Sequence, residues 1–259
     1  MSEVPEEKLG VGELDKVDHV RTSLLIVAAG SGTRLGYGMP KAAVPLGGST
    51  ILEQCLARIP LTAFSQVVLI VPADSPELAE TGRYFAEQNP DADIVVTTGG
   101  KTRAQSVANG MAKVTEGTDA VLIHDAARPL TPAGCFERVK TALAASADGV
   151  VTALPVVDTI KEVAADTVKR TVDRSNLVAV QTPQGFSVAA LQEAQQHLTT
   201  LSPVEAESIT DEAMLLERAG KIVKTVSGSA LALKITTAAD LHLAELLLTD
   251  LNSPKESTP

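Results

Sequence analysis

Aromatic side chains are scarce in this 259-residue sequence: it has no tryptophan, two tyrosines and four phenylalanines, 2% in all. That scarcity excludes a platform on which successive nucleic-acid bases stack. Basic residues are also in the minority, with 22 Lys and Arg against 32 Asp and Glu, for a net charge of −10. A chain of that sign does not coat a polyanion, so no nucleic-acid partner is expected. A single small charged substrate remains compatible. The two cysteines, Cys55 and Cys135, are too far apart to suggest a disulfide framework or a metal knuckle, and are expected as buried free thiols. The longest apolar run, Leu24–Ala29, falls far short of the ~20 residues a membrane helix needs. The first twenty residues carry Glu3, Glu6, Glu7, Glu13, Asp15 and Asp18, and lack the basic start and apolar stretch of a secretory leader. A cytoplasmic protein with no membrane partner is expected.

The rest of the composition is that of a folding chain, 44% hydrophobic and 21% charged. Apolar runs at Leu24–Ala29, Val67–Val71, Ile94–Val96, Ala120–Ile123 and Gly149–Leu154 are too short and continuous for amphipathic helices, and predict buried parallel strands. Helical patterns lie between them. Thr50 and Glu53 form a capping box ahead of Ile51–Ile59, while Pro76 after Ser75 and Pro132 after Thr131 mark first helical positions. Arg103–Lys113 sets Ala104, Val107, Ala108 and Met111 on one stripe. Repeated strand–helix–strand order predicts an α/β fold, a doubly wound, mostly parallel sheet with helices on both faces.

The alternation stops near Pro155. Thr159–Val163 and Thr167–Val172, separated by Ala164-Ala165-Asp166, predict an antiparallel hairpin that projects as an arm over about 155–176. A strand near Leu177–Val180 follows, then helices at Val188–His197 and Asp211–Ala219, a strand at Lys221–Val226, and a last helix from Ala238 to about Leu248. One folded domain is expected over 23–249, with 1–22 a flexible acidic tail and 250–259 a second tail too short for a fused second enzyme.

In an open parallel sheet, ligands bind beyond the carboxyl ends of the strands. The loop after the first strand runs from Ala28 and Ala29 through Gly30, Gly32 and Arg34 to Lys41. Glycines there let backbone N–H groups approach an anion, and Arg34 and Lys41 add two charges, together suggesting a triphosphate site. It is not the dinucleotide fingerprint, because Leu35 stands at the third glycine position, nor the Walker pattern, which needs Gly-Lys-Ser/Thr. After the fourth strand comes His124-Asp125-Ala126-Ala127-Arg128-Pro129. A carboxylate at a strand end can hold Mg²⁺ against substrate phosphates, which makes Asp125 the expected metal ligand. Arg128 suits bidentate recognition of a phosphate or a hydroxylated substrate. His124 is expected to pack rather than act as a base.

These segments, taken with Gly99-Gly100…Arg103…Ser106, Pro155–Thr159, Thr171–Arg174, Gln181–Gln184, Thr210–Ala213 and Lys234-Ile235-Thr236, resemble in order the 2-C-methyl-D-erythritol 4-phosphate cytidylyltransferase family. The resemblance spans about Ser23 to Leu248. It implies a modified Rossmann-like fold, a β-arm that locks two subunits into a homodimer, and condensation of CTP with a polyol phosphate in non-mevalonate isoprenoid synthesis. Arg34 and Lys41 match the transition-state stabilisers, and Arg174 and Lys234 the residues that orient the sugar phosphate. Asp125 matches the metal-linked aspartate; Arg128, Thr159 and Thr182 match substrate contacts. Thr159 and Arg174, on or beside the arm, would serve the partner's site. The cytosine would meet backbone at Ala28, Ala29 and Gly100 with help from Ser106, and Gly30, Gly32 and Arg103 would complete the substrate-binding set. The chain departs from the family at Ala42-Ala43, Lys101 and the apolar lead-in Leu231-Ala232-Leu233, which leaves Lys234 the least secure position. A ribitol 5-phosphate cytidylyltransferase stays open as the alternative, with Ala127 leaning toward the methylerythritol branch, and a non-catalytic nucleotide-binding dimer is the remaining one.

Overall fold

The computed structural model describes residues 20–30, 32, 35–198 and 211–253. Seven strands form one twisted sheet: β1 (Thr22–Val27), β4 (Gln66–Val71), β5 (Ile94–Thr98), β6 (Ala120–Asp125), β7 (Gly149–Pro155), β10 (Val178–Ser187) and β11 (Val223–Ser227). Their order is β11-β7-β10-β6-β1-β4-β5. All pairings are parallel except those of β10, which runs against both β6 and β7. Strands β2 (Pro45–Leu46) and β3 (Ser49–Thr50) make a separate small ladder.

The apolar runs need cover on two sides, because successive strand side chains point to opposite faces. Leu24 and Ile26 face one way, with Leu69 and Leu122, onto α1 (Ile51–Leu56), α2 (Pro76–Gln88) and α4 (Ala133–Ala144). Leu25 faces the other way, with Ile70 and Ile123, toward α3 (Arg103–Met111), α5 (Val188–Leu198) and α6 (Glu212–Arg218). A third cluster joins Leu46 and Ile51 to Leu241, Ala244 and Leu248 of α7 (Ala238–Asn252). Both cysteines are free and buried, as expected.

Several boundaries differ from expectation, each for a local reason. The Thr50–Glu53 capping box forms, but α1 ends at Leu56, after which Arg58 N–H to Cys55 O and Ile59 N–H to Leu56 O tighten the chain into three-residue turns ahead of Pro60. Pro132 is the cap of α4 rather than its first residue. Strand β5 is only half-buried, since it is the sheet edge, and it runs on to Thr98. The strand expected to end at Val180 continues to Ser187, with its ladder to β7 broken between Val180 and Gln184. The last helix passes Leu248 and takes in the first residues assigned to the C-terminal tail.

The expected hairpin is present as β8 (Ile160–Ala164) and β9 (Thr167–Val172), paired with each other and not with the main sheet. Ala165 turns it with φ +51°. Its strands carry two polar cross-strand contacts, Arg170 to Glu162 at 2.6 Å and Lys161 to Thr171 at 2.6 Å, beside the apolar pairs Ile160–Val172 and Val163–Val168.

The start of α7 is held by reciprocal bonds: Asp240 N–H donates to the Thr237 hydroxyl at 3.2 Å, and Thr237 N–H donates to the Asp240 carboxylate at 2.8 Å. Thr237→Ala removes the first and is expected to cost about 1 kcal/mol, lowering the thermal midpoint by roughly 2–4 °C. An unchanged melting curve would show that packing of Leu241 and Leu248 alone holds the helix.

Candidate active site

A cleft of about 360 Å³ opens at the carboxyl ends of β1, β5 and β6. One wall is the backbone of Ala28, Ala29, Gly30 and Gly32 beyond β1; the facing wall is Gly100 to Ser106 at the start of α3. Asp125 and Ala127 form the floor, and Lys41 and Lys234 reach in from the sides. Chain segments 70 residues and more apart in sequence meet here because parallel strands end at one rim.

Two glycines are required by this geometry. Gly32 has φ +70°, and a Cβ there would lie 2.8 Å from the Lys41 amide nitrogen. The close approach also allows Lys41 N–H to donate to Gly30 O at 3.1 Å, which ties the loop shut. At Gly99 a Cβ would strike Ala29 at 2.5 Å, so the two walls touch only because the side chain is absent. Beside it, Gly100 N–H donates to the Ser106 hydroxyl at 3.0 Å, and that hydroxyl donates to Thr102 O at 2.9 Å. Ser106 thus shapes the Gly100 wall as well as lining it.

The charge of the cleft opposes that of the chain. Among the described residues Lys41, Lys101, Arg103 and Lys234 line it against a single carboxylate, Asp125, in a protein of net charge −10. Asp125 takes Lys234 Nζ at 2.7 Å on one oxygen and Arg103 Nε at 3.4 Å on the other. Burial by itself would raise the Asp125 carboxyl, but the charges of Arg103 and Lys234 overcome it and hold the group at about 2. It is therefore ionised at every physiological pH. Arg103 NH1 also donates to Glu212 at 2.7 Å. Burial lowers the Arg103 guanidinium and the two carboxylates more than compensate, so its proton is held more tightly than usual.

Behind Asp125, its backbone N–H donates to the Thr182 hydroxyl at 3.1 Å, and that hydroxyl bonds His124 Nδ1 at 3.0 Å. His124 is fully buried against Phe136, ring centroids 5.0 Å apart, and burial pushes it down to about 4. It packs, as expected, and is neutral at pH 7. Thr182, expected on substrate, is 4% exposed and does not line the cleft; its hydroxyl accepts the Asp125 N–H at the end of β6. Arg128, also expected on substrate, does not line the cleft; NH1 donates to Ala232 O at 2.6 Å.

The Ala232 contact explains the apolar lead-in to Lys234. Ala232 is 1% exposed, Leu233 packs on the third cluster, and Ile235, wholly buried, donates its N–H to Ala127 O at 2.8 Å. Apolar anchors on both sides hold the segment, while Lys234 itself stays 40% exposed at its side chain with its amine on Asp125. Buried Ala42 likewise fits beneath the loop.

Arg34 lies outside the described residues, as does Thr210. Thr159 and Arg174 are exposed beside the hairpin and do not line this cleft. Glu212 carries no expected role from the sequence, although it lies within Thr210–Ala213, one of the segments of the family resemblance; its neighbour Asp211 caps the helix, accepting the Met214 N–H at 2.9 Å. Among the described residues no three acidic, histidine or cysteine side chains gather as a metal cluster. The cleft's hard, ionised oxygen donor among them is Asp125, whose two oxygens take Lys234 and Arg103; a divalent cation there would share those oxygens and draw its other ligands from substrate phosphates and water.

The profile of the family described as "IspD: 2-C-methyl-D-erythritol 4-phosphate cytidylyltransferase" matches residues 22–250. A 2-C-methyl-D-erythritol 4-phosphate cytidylyltransferase of Rhodococcus jostii is 41% identical over 226 residues, 86% of this chain and 93% of that one. A bifunctional IspD/IspF enzyme of Clavibacter michiganensis is 44% identical over 234 residues, and there the chain spans 89% of its own length but 55% of the relative's. The crystal structure of 2-C-methyl-D-erythritol 4-phosphate cytidylyltransferase from Thermus thermophilus aligns with a TM-score of 0.68 at 34% identity, covering 89% of this chain and 100% of that one. The 4-diphosphocytidyl-2C-methyl-D-erythritol synthase of Anaerococcus prevotii gives 0.77 at 27% identity, covering 91% and 99%. A profile that runs from the first residue of β1 into α7 encloses the whole rim just described, and the chain belongs to the 2-C-methyl-D-erythritol 4-phosphate cytidylyltransferase family.

Proposed function

We propose that the cleft joins CTP to 2-C-methyl-D-erythritol 4-phosphate, a step of non-mevalonate isoprenoid synthesis. A phosphate oxygen of the polyol attacks the α-phosphorus of CTP, the bond to the β-phosphate breaks, and 4-diphosphocytidyl-2-C-methyl-D-erythritol and pyrophosphate leave. The observation that carries this reading is the concentration of Lys41, Arg103 and Lys234 around Asp125 at one rim of an acidic protein.

The chemistry asks for little else. The attacking phosphate is already ionised at neutral pH, so no general base is needed, and rate comes from alignment and charge neutralisation. The backbone of Ala28, Ala29 and Gly100, shaped by Ser106, takes the cytosine. Gly30, Gly32, Arg34 and Lys41 take the triphosphate, and Lys41 and Arg34 stabilise the charge that develops on pyrophosphate. Lys234 orients the polyol phosphate. Asp125 is the residue that would hold a divalent cation such as Mg²⁺, whose contribution when bound is to offset triphosphate charge.

The hairpin completes the assembly. Val157, Val163 and Val168 are more than half exposed on or beside it, a set of apolar groups that a second copy of the chain covers in a homodimer. In that dimer Thr159 and Arg174 serve the partner's cleft. Two free buried thiols suit a reducing cytoplasm, and no helix among the described residues is long and apolar enough to cross a membrane.

Pyrophosphate release tests the substrate. With CTP and Mg²⁺ supplied, release is expected with 2-C-methyl-D-erythritol 4-phosphate and at least about tenfold less with ribitol 5-phosphate, the loss that ~1.4 kcal/mol of misplaced contacts produces. Preference for ribitol 5-phosphate would reassign the enzyme, and CTP binding without turnover on either would reduce it to a binding protein.

A further inference from the structure

Arg103 has more than one task at the rim. Its Nε faces Asp125 at 3.4 Å and one N–H of NH1 is taken by Glu212 at 2.7 Å. Of the five N–H donors of a guanidinium, three remain without a hydrogen-bond partner among the described residues, and the side chain is 28% exposed at the cleft. A planar fork presents those donors usefully only if its plane is fixed.

Glu212 is placed to fix it. The residue is 6% exposed at the first position of α6, and its neighbour Asp211 both caps that helix and accepts Gln184 Nε2 at 3.0 Å. Gln184 lies on β10, paired with Ile123 of β6, two residues before Asp125. The Glu212 backbone is therefore anchored through β10 to the same strand that carries Asp125. Two carboxylates on one rigid frame hold a single guanidinium between them.

We propose that Glu212 is a positioning residue for the transfer reaction, acting through Arg103: it pins the guanidinium so that its remaining donors point at the phosphates instead of folding onto Asp125. Without Glu212, Arg103 has one buried carboxylate left to pair with, and a bidentate pair with Asp125 turns its donors away from the cleft. The inference rests on the cytidylyl-transfer reading above.

A double-mutant cycle tests it, with pyrophosphate release from CTP and 2-C-methyl-D-erythritol 4-phosphate as the readout. Glu212→Gln keeps the shape and removes the charge; it is expected to lower kcat/KM about tenfold in the wild-type background and less than twofold in an Arg103→Lys background, because the fork it orients is already gone. Glu212→Asp serves as the second variant should Glu212→Gln melt early, and is expected to retain more activity than Glu212→Gln. Equal losses in the two backgrounds, or no loss in the wild-type background, overturn the proposal. An inactive wild-type chain overturns the transfer reading instead, so the two failures are distinct.

Discussion

Lys41→Ala and Lys234→Ala are each expected to fold normally and to lose about 10²–10³ in turnover, the usual effect of deleting one preorganised donor at a site of developing charge. The folding half follows from what each side chain leaves behind. The contact of Lys41 that closes the loop is made by its backbone N–H to Gly30 O, and alanine keeps it. Lys234 is 40% exposed at its side chain, so its ion pair with Asp125 is worth about 1 kcal/mol or less to stability. Asp125 retains Arg103, and Ala232 and Ile235 still hold the segment in place. The catalytic half follows from the absence of a base: where alignment and charge do all the work, a missing cation has no substitute. kcat at saturating CTP and polyol phosphate, beside a thermal melt, measures both halves. Near-wild-type turnover in either variant would remove that lysine from the mechanism.

Arg103→Ala is expected to act in the opposite place, on stability as well as rate. It strips Glu212, whose side chain is 8% exposed, of the cation it pairs with, and takes one of the two cations from Asp125. Leaving a buried charge unpaired costs about 3 kcal/mol or more. For a chain of this length that lowers the thermal midpoint by roughly 6–12 °C. Adding Glu212→Gln removes the orphaned charge, so the double variant is expected to recover most of the loss while staying poorly active. If the single variant melts with the wild type, water already solvates Glu212 and the bridge is not structural. If the double variant melts lower still, the guanidinium stem was contributing by packing.

The main sheet was legible because strands buried on both faces leave continuous apolar runs. Leu24–Val27 and Val67–Val71 cannot be read otherwise, and the hairpin stood out where that continuity broke after Pro155. Strand β10 was legible only at its start. Its middle, Gln181-Thr182-Pro183-Gln184, is polar because those side chains serve the structure around them: Gln181 bonds Ser229 O, Thr182 bonds the end of β6, and Gln184 bonds Asp211. Polar residues spent on internal hydrogen bonds carry no period for a reader of sequence to follow.

The site divides along the same line. Glycine spacing and charged residues just past strand ends suffice to place Gly30, Gly32, Lys41 and Asp125, since backbone freedom and fixed charge are properties of the residue itself; Lys234 is placed only by the resemblance to the family. Which way a side chain turns is a property of its neighbours. Thr182 and Arg128 are chemically able to touch substrate, and only the fold shows that they bond the Asp125 amide and the Ala232 carbonyl. Glu212, one glutamate among many in an acidic chain, acquires its meaning only when α6 is packed beside β6 and its carboxylate meets Arg103 from 109 residues away. Charge and conformational freedom are written locally; partnership between buried groups exists only once the chain has closed around them.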